Sequence, residues 1–294
     1  MGLAPDAPQF AGDHVKILLT GAGGQLGLEL SRLLPQRDHE VIPLARTDLD
    51  ITDSRAVEQT VEQHSPDLVI NAAAFTGVDA AETEVEAAYA ANAVGPRNLA
   101  VACERADCEL LQVGTNYVFD GKLGRPYEPF DPPNPLGVYG RTKLAGDEYV
   151  MRLCHRWYVV RTAGVYGEGG NIVRTMLRLG RERGEIRVKD DEFVSPTWAR
   201  DLAEGIAQIV EAREYGLYHL TNSGSCSWYE FTLEIMRLSG TEVRMTPVST
   251  AEFPLPAPRP ANGVLSSLGS PQLRHWREAL AEYLDHEGVS VPHG

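Results

Sequence analysis

A tyrosine and a lysine stand four residues apart in Val138-Tyr139-Gly140-Arg141-Thr142-Lys143-Leu144-Ala145-Gly146-Asp147. On a helix that spacing puts both side chains on one face, about one turn apart. A phenol is a poor acid near neutral pH, its ordinary pKa being about 10, but a neighbouring cation stabilises the phenolate. Tyr139 and Lys143 sharing a site could therefore protonate a carbonyl oxygen. Upstream, the apolar run at residues 110–113 reads as a strand and ends at Thr115. A hydroxyl there can donate to a substrate oxygen, because ligands of open parallel sheets lie beyond the carboxyl ends of the strands. Tyr-x-x-x-Lys is common on ordinary helices, so its weight depends on the elements that would position it.

The first of these is the short β-rich run at residues 15–20, which ends directly in Gly21-Ala22-Gly23-Gly24-Gln25-Leu26-Gly27 and is followed by a helical pattern stopped at Pro35. Gly21, Gly24 and Gly27 supply a sharp turn, close approach of backbone to a pyrophosphate, and tight helix–strand packing. Strand, glycine turn and helix predict a dinucleotide site. The next strand, at 41–44, ends near Arg46. An arginine at that place accommodates a ribose 2′-phosphate, which leans toward NADPH, while Asp48 and Asp50 nearby keep NADH open. Asp50 and Ile51 are placed against the adenine, and Asp53 reads as the N-cap of a helix to His64. A third strand at 68–70 ends in Ala72, Ala73 and Ala74, whose small side chains let a cofactor pass.

The proline-dense stretch 124–135 reads as a loop over the site. A further strand is expected at 157–162, and the alternation predicts an α/β fold with a Rossmann-type doubly wound parallel sheet. From about residue 169 the elements shorten: helices at 171–183, 198–213, 229–239 and 271–285, and strands at 186–188 and 217–220. This predicts a cofactor domain over 15–168 and a smaller α+β substrate-binding lobe over 169–294, some of whose strands or helices return to the first domain. Residues 181–183 and 187–192 read as a solvated charged face, some of which could meet a diphosphate.

The 294 residues carry 27 basic and 41 acidic side chains, a net charge of −14, which disfavours binding to nucleic acid or anionic membrane. Any phosphate-bearing ligand needs a local site. Residues 1–14 show no basic start and no apolar core, so they read as a flexible tail of a cytoplasmic protein. Asp6 stands where a myristoylation motif wants Ser or Thr. The 4 cysteines and 8 histidines lack metal-ligand spacing, and the cysteines read as small buried hydrophobes.

Together the glycine turn and the Thr115, Tyr139, Lys143 set resemble the extended short-chain dehydrogenase/reductase family. Asn71-Ala72-Ala73-Ala74-Phe75-Thr76-Gly77-Val78-Asp79-Ala80-Ala81-Glu82, Tyr117-Val118-Phe119-Asp120-Gly121 and Tyr218-His219-Leu220-Thr221-Asn222-Ser223-Gly224 narrow the resemblance to the dTDP-4-dehydrorhamnose reductases, over about 15–283. The resemblance implies reduction at C4 of a dTDP-linked 4-keto-6-deoxy sugar with hydride from NADPH or NADH. It implies Tyr139 as proton donor, Thr115 on the C4 oxygen, and Lys143 on the nicotinamide ribose, where it would also acidify Tyr139. It adds Gln25, Leu26, Phe75 and Thr76 as cofactor contacts, and Val78, Asn116 and Tyr117 as sugar-nucleotide contacts. Some members are homodimers that use Mg²⁺ at the subunit contact, although no metal ligand is indicated here.

Three departures stand against that pattern. Gly114 and Asn116 replace the usual serine and aspartate, Gly164 replaces a tryptophan beside the substrate, and 191–197 matches the common Asp-Gln-x-Gly-x-Pro-Thr run only in part. A reductase for another dTDP-4-keto-deoxysugar is therefore an open alternative. A second is a non-catalytic subunit like the regulatory partner of methionine adenosyltransferase, which shares the fold.

Overall fold

The computed structural model describes residues 14–289. The expectation of a flexible tail over 1–14 therefore lies, His14 apart, outside the described residues. Near-continuous apolar runs form β1 (Lys16–Thr20), β2 (Glu40–Leu44), β3 (Leu68–Asn71), β4 (Glu109–Thr115) and β5 (Trp157–Thr162). Runs of that kind belong to a parallel sheet covered on both faces. The strand Gly216–His219 joins β5, and the six-stranded order is Gly216–His219, β5, β4, β3, β1, β2, every pair parallel. The sheet is doubly wound, as the alternation predicts.

Helix α1 (Gln25–Leu33) buries Leu26 and Leu30 against one face of the sheet, and the helix Ala199–Ala212 packs into the same core through Leu202, Ile206 and Val210. On the other face lie α2 (Ser54–His64), α4 (Gly95–Ala106) and α5 (Val138–Leu153), around Val57, Val61, Leu99 and Val150, while α3 (Val85–Tyr89) packs through Ala88 on Ala81 and Val138. Asp53 caps α2 by accepting from the amides of Arg55 and Ala56, as expected. A second core gathers Tyr166, Trp198, Phe231, Trp276 and Tyr283. No helix among the described residues is long and apolar enough to cross a membrane.

The structure corrects four expectations. Residues 85–106, for which no element was foreseen, are helical, with a π-helical turn at Ala90–Val94 joining α3 to α4. Residues 273–275 form a strand beside Asn222–Ser223, so the last helix starts only at Trp276, capped by the His275 side chain. Stretch 124–135 is irregular but lines no part of the cleft. Tyr127 stacks on Phe119 with ring centroids 4.2 Å apart and exchanges backbone hydrogen bonds with Val264 and Ser266, which holds the stretch away. Finally, Lys189 and Glu192 are not on a solvated face: they form a buried ion pair at 2.5 Å.

Candidate active site

The glycine turn is shaped by what side chains would collide with. A Cβ on Gly27 would stand 2.2 Å from the Gly21 carbonyl oxygen, and one on Gly21 only 2.5 Å from the Ala73 amide, at a φ of +71°. The turn folds tightly over the end of β3 and delivers the N-terminus of α1, whose free amides attract an anion, to a cleft of about 650 Å³. Gly23 has open space around it, the condition for close approach by a ligand.

Beneath the cleft a buried ladder crosses three strands. The Thr20 hydroxyl donates to Asn71 Oδ1 at 2.6 Å, Asn71 Nδ2 donates to Gln112 Oε1 at 2.7 Å, and Asn71 Oδ1 also accepts from the Ala73 amide. Lys143 Nζ donates to the Val113 carbonyl at 2.6 Å, which aims the amine at the end of β4. Helix α5 has no side-chain cap of its own. Glu82, 56 residues upstream, accepts from the Val138 amide at 2.7 Å instead. A carboxylate at that end also suits the helix dipole. Asn92, in the π-helical turn, holds both the Phe75 backbone and the Thr142 hydroxyl, and so fixes α5 against the loop after β3. π-Turns inside helices often sit at functional sites.

Gly24, Gln25, Leu26, Gly27, Ala72, Ala73, Ala74, Thr76, Val78, Thr115, Asn116, Tyr117, Tyr139, Lys143 and Gly164 all line this one cleft. Five expected residues do not. Gly21 lies under the turn, Ile51 is buried against Gly95, and Phe75 faces the cluster around Ala81, Ala88 and Val138. Arg46 and Asp50 are exposed at the end of β2, where the Arg46 charge helps hold the Asp50 carboxyl below its usual range, after its hydrogen bonds from Thr52. Sequence reasoning missed Val113, Thr162, Glu168 and Leu202 as lining residues. Thr162 was findable, since it ends β5 in register with Thr115.

Burial dominates the electrostatics. It pushes the Tyr139 phenol up to about 12, opposed by a hydrogen bond from Thr115. It pulls Lys143 below its ordinary value, with Asp147 working against the shift. The Lys143 amine is held by the Val113 carbonyl, and burial is the largest influence on the phenol. Asp147 is buried too, with Oδ2 3.1 Å from Arg161 Nε. That pair accounts for Gly114: a Cβ there would come within 2.8 Å of Arg161 Cγ and 3.1 Å of Asp147 Oδ2. Among the described residues no group of three or more His, Cys, Asp or Glu side chains could hold a metal.

Known proteins share this arrangement over nearly the whole chain. A family model described as "RmlD substrate binding domain" matches residues 15–289. A dTDP-4-dehydrorhamnose reductase of Streptomyces griseus is 44% identical over 278 residues, covering 90% of this chain and 91% of that one. The crystal structure of a dTDP-4-dehydrorhamnose reductase from Clostridium acetobutylicum superposes with a TM-score of 0.91 at 44% identity, covering 93% and 99%. One from Bacillus anthracis, solved in complex with NADP, gives 0.90 at 38%, covering 93% and 100%. With a dinucleotide turn, a Tyr–Lys helix and this extent of likeness, the chain belongs to the dTDP-4-dehydrorhamnose reductase family.

Proposed function

We propose that this chain reduces the C4 ketone of a dTDP-4-keto-6-deoxy sugar, converting dTDP-4-dehydro-L-rhamnose to dTDP-L-rhamnose with NADPH or NADH as reductant. The observation that carries the reading is that Thr115, Tyr139 and Lys143 open onto the same cleft as the glycine turn.

The residues present suit a dinucleotide. The backbone of Gly24, Gln25, Leu26 and Gly27 would hold the pyrophosphate, and Ala72, Ala73, Ala74 and Thr76 would flank the cofactor. Gly21, Ile51 and Phe75 would shape its bed from behind, and Arg46 or Asp50 would meet the adenosine end. When bound, the reduced nicotinamide supplies a hydride to the carbonyl carbon. Tyr139 gives its phenolic proton to the carbonyl oxygen, so the ketone gains one hydride and one proton and becomes an alcohol. The Thr115 hydroxyl donates to the same oxygen and holds it toward the phenol. Lys143, kept in place by Val113, would bind the ribose. Val78, Asn116, Tyr117 and Gly164 would border the sugar nucleotide, and residues 169–294 would contribute most of the substrate lobe.

A second reading, reduction of a different dTDP-4-keto-deoxysugar, is not favoured by the relatives and has Gly164 alone behind it. Its φ of +55° is a left-handed conformation, and its neighbours are Val194 and Pro196, so an aromatic side chain is absent and the backbone is not set for one. Following NADPH oxidation with a panel of dTDP-4-keto sugars tests both. Turnover of dTDP-4-dehydrorhamnose best of the panel supports the first, turnover of another sugar alone supports the second, and no turnover of any refutes both. A cytoplasmic location and a homodimer belong to the same proposal through the resemblance alone; fractionation and sedimentation velocity check them.

A further inference from the structure

We propose that Asn116 is a positioning residue whose amide ties the segment around Gly263 to the turn carrying Thr115, and thereby sets where the substrate wall stands relative to that hydroxyl. The inference rests on the reductase reading. It changes the role of Asn116 from a sugar ligand to a fastening between two parts of the site.

The amide end of this buried side chain is engaged. Its Nδ2 donates to the Gly263 carbonyl oxygen at 2.9 Å, across 147 residues of sequence, while its Oδ1 lies 3.4 Å from the Thr115 oxygen, longer than an ordinary O–H···O bond, so the one hydroxyl proton stays available to the ketone. Only an amide can make the Gly263 bond, because a carboxylate has no hydrogen to give. An aspartate here would set two acceptor oxygens 2.9 Å apart in a buried place, leaving the Gly263 carbonyl unpaired. The other half of the fastening is equally specific. A Cβ on residue 263 would fall 2.4 Å from Asn116 Nδ2, so any larger residue would push the amide off the Gly263 carbonyl.

From Gly263 the contacts continue to the far side of the cleft. The Gly263 amide donates to the Phe193 carbonyl at 2.9 Å and the Phe193 amide to the Ala261 carbonyl at 2.8 Å. Next along the chain, Val194 and Pro196 pack on Gly164, whose carbonyl accepts from the Thr197 amide at 3.1 Å. A continuous path therefore runs from the turn carrying Thr115 through Asn116, Gly263 and Phe193–Val194 to the wall at Gly164. Asn116 and Gly263 supply a side-chain link between the turn after β4 and the C-terminal segment.

The test is a double-mutant cycle on the full chain with the dTDP-4-keto sugar it turns over best. Asn116→Ala and Gly263→Ala should each raise KM at least tenfold, with KM carrying most of the loss and NADPH Kd within twofold of wild type. A fold defect would lower the active fraction, and hence kcat, without moving KM. Asn116→Asp should behave like Asn116→Ala. In the double variant the added Cβ has no amide to meet, so the loss should not exceed that of the worse single variant. Losses that multiply, or a wild-type KM in either single variant, would overturn the proposal. Should wild type turn over no dTDP-4-keto sugar, the reductase reading fails separately. The same cycle read in Tm then decides the fastening: sub-additive losses support it and additive losses sink it.

Discussion

Gly140 follows the proposed acid directly, and replacing it with alanine should separate catalysis from stability. A Cβ at 140 would lie 2.2 Å from the Tyr117 carbonyl oxygen and 3.0 Å from Pro135 Cβ. Cβ contacts below 3.0 Å essentially do not occur, so α5 must retreat from the turn after Thr115 by at least 0.8 Å. The Tyr117 carbonyl is backbone and Pro135 Cβ belongs to a rigid ring, which leaves no flexible side chain to absorb the shift. Two terms oppose each other in stability. Alanine gains about 1 kcal/mol over glycine inside a helix, whereas overpacking costs about 1–3 kcal/mol. The net loss is roughly 0–2 kcal/mol, a fall of at most about 8 °C in Tm for a chain of this order of size. Catalysis has no such offset. A misplacement of about 1 Å between reacting groups can cost about 10²-fold, and the displaced group here carries the phenol relative to Thr115. We expect kcat to fall about 10²-fold while the protein stays folded at the assay temperature and NADPH Kd changes little. Stopped-flow hydride transfer, NADPH fluorescence titration and a thermal melt measure the three quantities. Gly184→Ala, at a position with open space around it, is the control and should change none of them. A kcat within threefold of wild type for Gly140→Ala would refute the claim that contact with the Tyr117 carbonyl sets the position of the acid.

Tyr139→Phe keeps the ring, which stands edge-on to Tyr117 at 5.4 Å, and removes only the proton donor; kcat should fall about 10²–10⁴-fold with NADPH binding intact, and a fall of less than tenfold would show another group to be the acid. Because burial raises this phenol, the folded protein holds its proton as pH climbs past the ordinary tyrosine value. A tyrosinate difference titration of wild type against Tyr139→Phe should therefore place its midpoint near 12, and a midpoint below 10 would contradict the burial argument. Arg46→Asp should move the ratio of specificity constants toward NADH by about tenfold, the worth of one charge-assisted contact of about 1.4 kcal/mol; an unchanged ratio makes Arg46 a bystander. At Gly164 the missing aromatic contact is worth about 1 kcal/mol, so calorimetry should find dTDP-4-dehydrorhamnose bound about fivefold more weakly than by relatives that keep the tryptophan, and equal affinity would argue against a more open pocket.

What could be read beforehand follows the range over which each signal acts. The first strand, the glycine turn and α1 are local: apolar run, tight turn and helix period lie within twenty-odd residues, and all three stand as read. The Tyr139–Lys143 pair was legible for the same reason, because helix geometry alone puts the two on one face. The residues that hold this helix were not. Glu82 and Asn92 act on α5 through contacts with Val138 and Thr142, and no spacing announces them. Helices α3 and α4 were missed because the Ala-rich sequence around 85–106 is interrupted by Gly95-Pro96 and passes through a π-turn, which breaks the 3.6-residue period. Lys189 and Glu192 looked like surface charges because their burial depends on the neighbouring strand Arg244–Val248 and on Thr250, about sixty residues away.

Tyr139, Lys143 and Asp147 recur every fourth residue, so one face of α5 presents a phenol, an amine and a carboxyl in a row. Burial moves each toward its neutral form: the phenol up, the amine down, the carboxyl up. For Tyr139 this keeps the proposed acid fully loaded at neutral pH, at the cost of a proton less willing to leave. For Lys143 the sign reverses in the stability balance. Its folded pKa lies below the unfolded value, so the folded state binds fewer protons and gains stability as pH rises from the lowered value toward the ordinary lysine range. A substrate ketone that gains negative charge as hydride arrives changes the first of these conditions, because the developing oxyanion draws the proton that burial had held. In the proposed reaction, proton release is then coupled to the arrival of hydride and not to the resting acidity of the side chain.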